Sequence, residues 1–136
     1  MSFEIDHLGI AVDNLDGALK IYRDLLGATV ASRECIAQEA VNVAVLPAGG
    51  SHASIELLEA TDASSPIARF IAKHGPGLHH IALRVHDLAA TVAKLEAAGH
   101  RPLNQPQIGA AGHRYVFLHP RSSGGVLLEL VESVST

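Results

Sequence analysis

Four residues of metal-binding type recur at one fixed spacing along the chain. His7 and His80 are 73 positions apart (80 − 7), and Glu56 and Glu129 are also 73 positions apart (129 − 56). Each glutamate stands between two large apolar residues, where an unpaired carboxylate would be costly to bury. Two imidazoles and two carboxylates suit a divalent cation that keeps open positions for water or substrate. The spacing therefore predicts one metal site with equivalent ligands from two halves of the chain.

The sequence around these four residues repeats at the same spacing. The matching segments are 5–12 with 78–85, 14–15 with 87–88, and 55–57 with 128–130. A chain of 136 residues is too short for two large independent cores, so a duplication must share one core. We therefore predict a single domain over residues 1–136. Its parts are a first module at about 4–60, a linking helix at about 65–74 and a second module at about 77–132.

The pattern of each half predicts the element order β-α-β-β-β. In the opening strand, Leu8 and Ile10 share one face, while His7 lies on the other face with small neighbours that leave it room. An apolar stripe at helical spacing follows from the N-cap Asn14 to Gly27, a suitable residue just past a helix end. Further strands are predicted at roughly 28–36, 41–47 and 52–59, and at about 113–118 and 125–131, with a loop at 105–112. The expected fold is α+β, with two tandem βαβββ modules that form a paired sheet around a concave metal-binding cleft.

Composition and charge exclude several classes of function. The formal net charge of −4 gives no basic footprint for nucleic acid. No segment has the run of about 20 apolar residues that a membrane helix needs. With a single cysteine and no signal-peptide pattern at the start, we expect a soluble protein in a reducing cytoplasm.

The chain resembles the vicinal-oxygen-chelate superfamily, also called the glyoxalase superfamily, over nearly its whole length. Within that superfamily, its most specific segments resemble the methylmalonyl-CoA epimerases. These segments are the opening strand at 5–12, the doubled histidine at 77–82, the Ser-Pro-Ile-Ala-Arg-Phe run at 65–70 and the His-Pro-Arg-Ser-Ser-Gly-Gly segment that leads to Glu129 at 119–130. The opening strand and the metal ligands are shared with lactoylglutathione lyases.

The resemblance implies a metal-dependent isomerase that interconverts (2R)- and (2S)-methylmalonyl-CoA by loss and return of the proton at C2. It implies that Glu129 is the catalytic base as well as a metal ligand. It favours Co²⁺ as the ion, although Mn²⁺, Ni²⁺, Zn²⁺ and Mg²⁺ also suit the ligand set. It also implies an acyl-CoA substrate and a homodimer.

Inverting a stereocentre in this way normally needs two groups on opposite faces of the substrate. In some members of the family, a carboxylate on the strand matching 41–46 is proposed for the second face. The strand pattern here predicts Asn42 on the cleft side, and an amide cannot take the proton. Gln38, Glu39, Tyr115, a water molecule or the substrate itself stay open as alternatives.

Coenzyme A is anionic, and the loops near the predicted cleft carry suitable donors for phosphate or carboxylate groups. The predicted substrate-binding residues are Gln38, Asn42, Arg114, Tyr115, Arg121 and Ser122. The rival functions are a lactoylglutathione lyase and a non-catalytic ligand-binding protein of the same superfamily. The loop at 119–125 disfavours the lyase, because those enzymes usually carry a Glu/Asp-Pro-Asp-Gly turn there. Retention of all four ligands disfavours the binding protein.

Overall fold

The computed structural model describes residues 3–109 and 112–132, and the chain divides into two compact units. Among the described residues, the first unit consists of residues 7–79, and the second consists of residues 80–109 and 112–132 together with residues 3–6. Each unit combines helices with four strands, so the predicted α+β class is confirmed. The assignment of the whole chain to one domain stays a prediction.

The first unit has the predicted order β-α-β-β-β followed by a helix. The elements are β1 (Glu4–Ala11, of which residues 7–11 belong to this unit), α1 (Leu15–Leu19) continuing as a π-helical segment (Lys20–Leu25), β2 (Ser32–Ile36), a 3₁₀ turn (Ala37–Glu39), β3 (Val41–Pro47), β4 (Ser54–Ala60) and α2 (Pro66–His74). The strands occur in the order β2-β3-β4-β1, with β1 parallel to β4 and the other pairs antiparallel.

The second unit repeats this order. The elements are β5 (Gly77–Val85, of which residues 80–85 belong to this unit), α3 (Leu88–Ala97), β6 (Gln107–Ile108), β7 (Arg114–Leu118), α4 (Pro120–Ser123) and β8 (Leu128–Glu132). The strands occur in the order β5-β8-β7-β6, again with the first and last strands in sequence parallel to each other. The sequence pattern did not reveal β6, which lies in the predicted loop, or the single turn of α4.

Both crossover helices begin at capped residues, and Asn14 is the N-cap that the sequence predicts. The Asn14 side chain accepts a hydrogen bond from the Gly17 N–H at 2.7 Å, and the Asp87 side chain accepts one from the Ala90 N–H at 3.0 Å. Gly27 follows the first helical stretch with φ +79°, the left-handed conformation that glycine adopts without strain. These caps set where each crossover starts and ends.

A glutamate from the last strand of each unit stabilises the same helix start. Glu59 on β4 accepts a hydrogen bond from the Leu15 N–H at 2.8 Å, and Glu132 on β8 accepts one from the Leu88 N–H at 3.2 Å. These glutamates are also 73 positions apart (132 − 59). A carboxylate at a helix N-terminus satisfies a free N–H group and complements the helix dipole. The repeat therefore conserves structural carboxylates as well as predicted ligands.

The core of each unit lies between the sheet and its helix. Leu15 and Leu19 of α1 pack on Ala44, Leu46 and Leu57 in the first unit. In the second unit, Leu88 packs on a matching set: Val116, Leu118 and Leu130. Full burial of such a side chain contributes about 1.5–3 kcal/mol. Within the described residues, every helix is too short or too polar to span a lipid bilayer.

Candidate metal and acid–base site

The first unit brings His7 and Glu56 together. Glu56 on β4 is paired in register with Gly9 on β1, so its side chain lies on the same face as His7, two residues before Gly9. His7 Nδ1 is 3.3 Å from Glu56 Oε2. Only 6% of the histidine is exposed, whereas the carboxylate is half-buried. This face therefore holds one imidazole and one carboxylate in contact.

The second unit builds the same pair from equivalent positions. Glu129 on β8 is paired in register with Ala82 on β5, and His80 again precedes that partner by two residues. His80 Nε2 is 3.3 Å from Glu129 Oε1, and the ring of Phe117 packs edge-on against His80 with the ring centres 6.0 Å apart. The ring nitrogen nearest the carboxylate is thus Nε2 here and Nδ1 in the first unit.

The spacing of the donor atoms within each pair fits a shared metal ion. Two ligand atoms that are each about 2.1 Å from one ion lie about 3.0 Å apart at a right angle and about 3.4 Å apart at the tetrahedral angle. The separation of 3.3 Å in both pairs falls in this range. Imidazole nitrogen and carboxylate oxygen are also donors that divalent transition metals accept. Each unit therefore supplies half of a chemically suitable ligand set.

Aliphatic side chains surround the ligand pair on the Glu56 face of the first unit. Val45 lies directly opposite Glu56 in the β3–β4 register, and Val43 lies opposite Leu58. A cluster that includes Val43 and Leu58 packs against Ile67, Phe70 and Ile71 of α2. The linking helix thus covers one end of this face and excludes water from it.

The prediction that Asn42 lies on the Glu56 face is wrong. In the register of β3 and β4, Asn42 is opposite Glu59, one residue out of phase with the Val45–Glu56 pair. Its Nδ2 donates a hydrogen bond to Glu59 Oε1 at 3.0 Å. Asn42 therefore lies on the helix side of the sheet, where it holds Glu59, the glutamate that caps α1, in place. Ala44 and Leu46 share this face of β3 with Asn42, and both pack against α1.

The 73-residue spacing does not extend to β3 and β7. Val45 is opposite Glu56, whereas Phe117 is opposite Glu129, so these partners are 72 positions apart (117 − 45) instead of 73. The link between the last two strands is one residue longer in the second unit. One residue reverses the face on which a strand side chain lies. The offset that aligns the ligands therefore fails for β3 and β7.

Tyr115 lies on the Glu129 face of the second unit. It is two residues from Phe117, which is directly opposite Glu129, and the two aromatic rings pack edge to face with centres 5.6 Å apart. The Tyr115 hydroxyl donates a hydrogen bond to Gln107 Oε1 at 3.0 Å. The Glu129 face of the second unit is therefore aromatic, in contrast to the aliphatic wall of the first unit.

The other predicted substrate-binding residues lie on exposed segments. Gln38 is in the 3₁₀ turn before β3, and Arg114 opens β7 with a guanidinium nitrogen 3.9 Å from Glu132 Oε2. Arg121 and Ser122 are in α4, where Ser122 Oγ is 3.0 Å from His100 Nδ1. All four are exposed, and their contact with substrate stays a prediction.

Glu34 is a carboxylate that the sequence pattern did not single out. It lies opposite Val43 in the β2–β3 register, so it shares the face that carries Glu56. The signal that identifies it is the hairpin register set by the 3₁₀ turn, which pairs Ile36 with Val41. Exposed on an edge strand, Glu34 is an acid–base group on the same side of the sheet as the ligand pair.

Comparison with known proteins identifies the relatives of this chain. Residues 6–117 match the model of the Glyoxalase/Bleomycin resistance protein/Dioxygenase superfamily. The ethylmalonyl-CoA/methylmalonyl-CoA epimerase of Cereibacter sphaeroides is 38% identical over 93% of this chain and 95% of its own length.

Two solved structures give the same result in three dimensions. The methylmalonyl-CoA epimerase of Mycobacterium tuberculosis is 41% identical, with a TM-score of 0.89 over 97% of this chain and 89% of that one. A methylmalonyl-CoA epimerase in complex with methylmalonyl-CoA and NH₄⁺ is 36% identical, with a TM-score of 0.88 over 99% of this chain and 97% of that one. The predicted arrangement of two βαβββ modules is confirmed.

Proposed function

The chain belongs to the Glyoxalase/Bleomycin resistance protein/Dioxygenase superfamily and, within it, to the methylmalonyl-CoA epimerases, and from this premise we propose that it interconverts (2R)- and (2S)-methylmalonyl-CoA. The observation that carries the proposal is the His–Glu pair found at the same register in both units. The reaction is the loss of the C2 proton and its return to the opposite face.

His7, Glu56, His80 and Glu129 together would hold one divalent cation. The common 73-residue spacing, the donor separations and the membership of the family support this assignment. When bound, such an ion supplies positive charge beside the oxygens that gain electron density as the proton leaves. Co²⁺ is the favoured ion, and Mn²⁺, Ni²⁺, Zn²⁺ and Mg²⁺ are the alternatives.

Glu129 is the group that takes the proton from C2. Its carboxylate is only 14% exposed and has an aromatic neighbour in Phe117, so little water competes with substrate for its oxygens. His80, at 3.3 Å, orients the carboxylate. A positioned general base contributes about 10²–10⁴ in rate.

The proton on the opposite face needs a second group, and Asn42 is not available for it. Glu34 in the first unit and the Tyr115 hydroxyl in the second unit are the side chains whose faces and chemistry suit this role. If Glu34 returns the proton, Glu34→Gln abolishes net epimerisation but leaves exchange at one face. If Tyr115 does so, Tyr115→Phe has that effect instead.

The direct test is exchange of the C2 proton. Protein loaded with Co²⁺ is incubated in D₂O with methylmalonyl-CoA, with ethylmalonyl-CoA, and with methylglyoxal plus glutathione. Deuterium should enter C2 of methylmalonyl-CoA, and no lactoylglutathione should form. Exchange absent from both acyl-CoA substrates would overturn the proposal, and lactoylglutathione formation would favour the lyase. The ethylmalonyl-CoA arm is included because the Cereibacter sphaeroides relative is named for both substrates.

We expect a homodimer, as the family resemblance implies, and a cytoplasmic location. Sedimentation of the metal-loaded protein would test the first expectation, and cell fractionation would test the second.

A further inference from the structure

A separate pocket in the second unit has a strongly basic lining. Its volume is about 410 Å³, and it lies where the end of α3 meets α4. The lining residues are Gly99, His100, Arg101, Leu103, His119, Arg121 and Ser122. This set contains two arginines, two histidines and a serine, and it contains no carboxylate. The pocket therefore offers hydrogen-bond donors and positive charge to an anion.

The arginines of this pocket differ from the others in the chain. The sequence has seven arginines, and five of them contact an acceptor within the described residues. These contacts are Arg23 with Asp24, Arg33 with Asp16, Arg69 with the Ser64 carbonyl, Arg84 with Asp6 and Glu4, and Arg114 near Glu132. Within residues 3–109 and 112–132, the guanidinium groups of Arg101 and Arg121 have no such acceptor.

This contrast matters because acidic residues outnumber basic ones, 14 to 10. Arg101 and Arg121, the two arginines without such an acceptor in the described residues, both line this pocket. Arginine is also the residue that best binds phosphate, through its fixed fork of donors. The pocket is therefore suited to a group that brings its own negative charge.

The neighbouring side chains are held so that they too can donate. His119 Nδ1 accepts a hydrogen bond from the Arg121 backbone N–H at 3.0 Å, which leaves the proton of the neutral ring on Nε2. His100 Nδ1 is 3.0 Å from Ser122 Oγ, so these two side chains order each other. Together with the arginines, these side chains form a set of hydrogen-bond donors on two segments, 99–103 and 119–122, which the contact between His100 and Ser122 joins.

We propose that this pocket binds a phosphate group. Two sources have the right chemistry: the nucleotide phosphates of an acyl-CoA, or a free phosphorylated metabolite. The first source rests on the proposed epimerase function, and the second does not. The residues that carry the binding are Arg101, Arg121 and His119, with Ser122 as an additional donor.

Binding is tested without turnover, by calorimetric titration of the metal-loaded protein with adenosine 3′,5′-bisphosphate and with inorganic phosphate. Arg101→Gln and Arg121→Gln should each weaken binding about fivefold, as loss of one exposed charge pair implies, and the double variant should weaken it roughly 20-fold. The lysine variants Arg101→Lys and Arg121→Lys should keep most of the affinity. Arg23→Gln, which removes an arginine already paired with Asp24, is the matched control. Equal binding by the double variant and the wild type, or no binding by the wild type, overturns the proposal.

A kinetic comparison identifies the source of the phosphate. With methylmalonyl-CoA, the double variant should show a raised KM at unchanged kcat, whereas methylmalonyl-pantetheine, which lacks the nucleotide, should give the same KM with both proteins. An unchanged KM for methylmalonyl-CoA, despite weakened binding of inorganic phosphate, would assign the pocket to a free phosphorylated metabolite. Failure of the epimerase function would leave the binding result standing, so the two failures are distinguishable.

Discussion

The two units of the chain share a backbone plan but surround their glutamates differently. Each places a histidine and a glutamate 3.3 Å apart, on strands paired in the same register. Val45 is opposite Glu56 in the first unit, whereas Phe117 is opposite Glu129 in the second, with Tyr115 beside it. The first unit thus provides ligands and an aliphatic wall, and the second provides ligands and an aromatic wall.

This difference shows that a duplicated module can keep its ligands while its walls diverge. The ligands and the capping glutamates keep the 73-residue spacing because each pairs directly with the first strand or the crossover helix. The third strand of each unit is connected to the last strand by a loop, and the two loops differ by one residue between their opposing strand positions. Because of this one-residue difference, the residue opposite Glu129 is not at the position that corresponds to Val45, the residue opposite Glu56.

The largest predicted effect is a difference in activity between variants of Glu129 and Glu56. We expect Glu129→Gln to lower the rate of C2 deuterium exchange about 10³-fold, because it removes the general base. Glu56→Gln should lose far less activity at saturating metal, because an amide oxygen can still act as a ligand and the base is intact. Exchange rates measured at several Co²⁺ concentrations give both values. Equal losses in the two variants would show that the units are functionally symmetric.

The capping glutamates should have the next largest effect, on stability. Removing a helix cap costs about 0.5–2 kcal/mol, and Glu59→Ala should fall at the upper end because Glu59 also accepts a hydrogen bond from Asn42. Glu132→Ala should cost less, since its contact with the Leu88 N–H is longer. Urea denaturation measures both, with Glu59→Gln as the control that keeps one acceptor oxygen. A greater loss of stability in Glu132→Ala than in Glu59→Ala would contradict this prediction.

Asn42→Ala distinguishes the corrected position of this residue from the predicted one. Because Asn42 donates to Glu59 on the helix side of the sheet, the variant should lose about 1 kcal/mol of stability. The kcat of the folded protein should stay at the wild-type value. Urea denaturation and steady-state kinetics check the two parts. A lower kcat at unchanged stability would return Asn42 to the substrate face.

Ala40→Gly should stabilise the protein by about 0.5 kcal/mol. Ala40 has φ +52° at the end of the 3₁₀ turn, a conformation that costs an alanine more than a glycine. Part of the gain is offset by the greater flexibility of glycine in the unfolded chain and by loss of a buried methyl group. The midpoint of thermal unfolding measures the net effect. A lower midpoint would show that the methyl group outweighs the backbone strain.

The smallest effect concerns an exposed ion pair of the first unit. The hydrogen bond and charge of Arg33 hold the pKa of Asp16 below its ordinary value of 3.8. The pair therefore stabilises the fold above pH 3.8, and this contribution is lost as the pH falls through the lower, folded-state pKa. In Arg33→Gln, the pKa of Asp16 should rise towards 3.8, as followed by NMR of the carboxylate carbon. An unchanged titration would show that the pair does not persist in solution.

Much of the fold could be predicted from local patterns. The alternation of residues 5–12, the cap Asn14 and the helix end at Gly27 depend on neighbours in sequence and were confirmed, whereas Leu25 and Leu26 in the predicted apolar stripe are exposed. The face of Asn42 could not be predicted in this way, because it depends on a register between strands set by a distant loop. The same is true of Glu34. The hydrogen bonds of Glu59 and Glu132 to helix N-termini could not be predicted either, since the 73-residue spacing does not distinguish a capping glutamate from a metal ligand.

We propose that His7, Glu56, His80 and Glu129 hold one cation, and titration of chelator-treated protein with Co²⁺ tests this proposal most directly. The wild type and the control variant His86→Ala should bind one ion per chain. His7→Ala and His80→Ala should each abolish tight binding. Two ions per chain, or wild-type affinity in either of these two variants, would contradict the account.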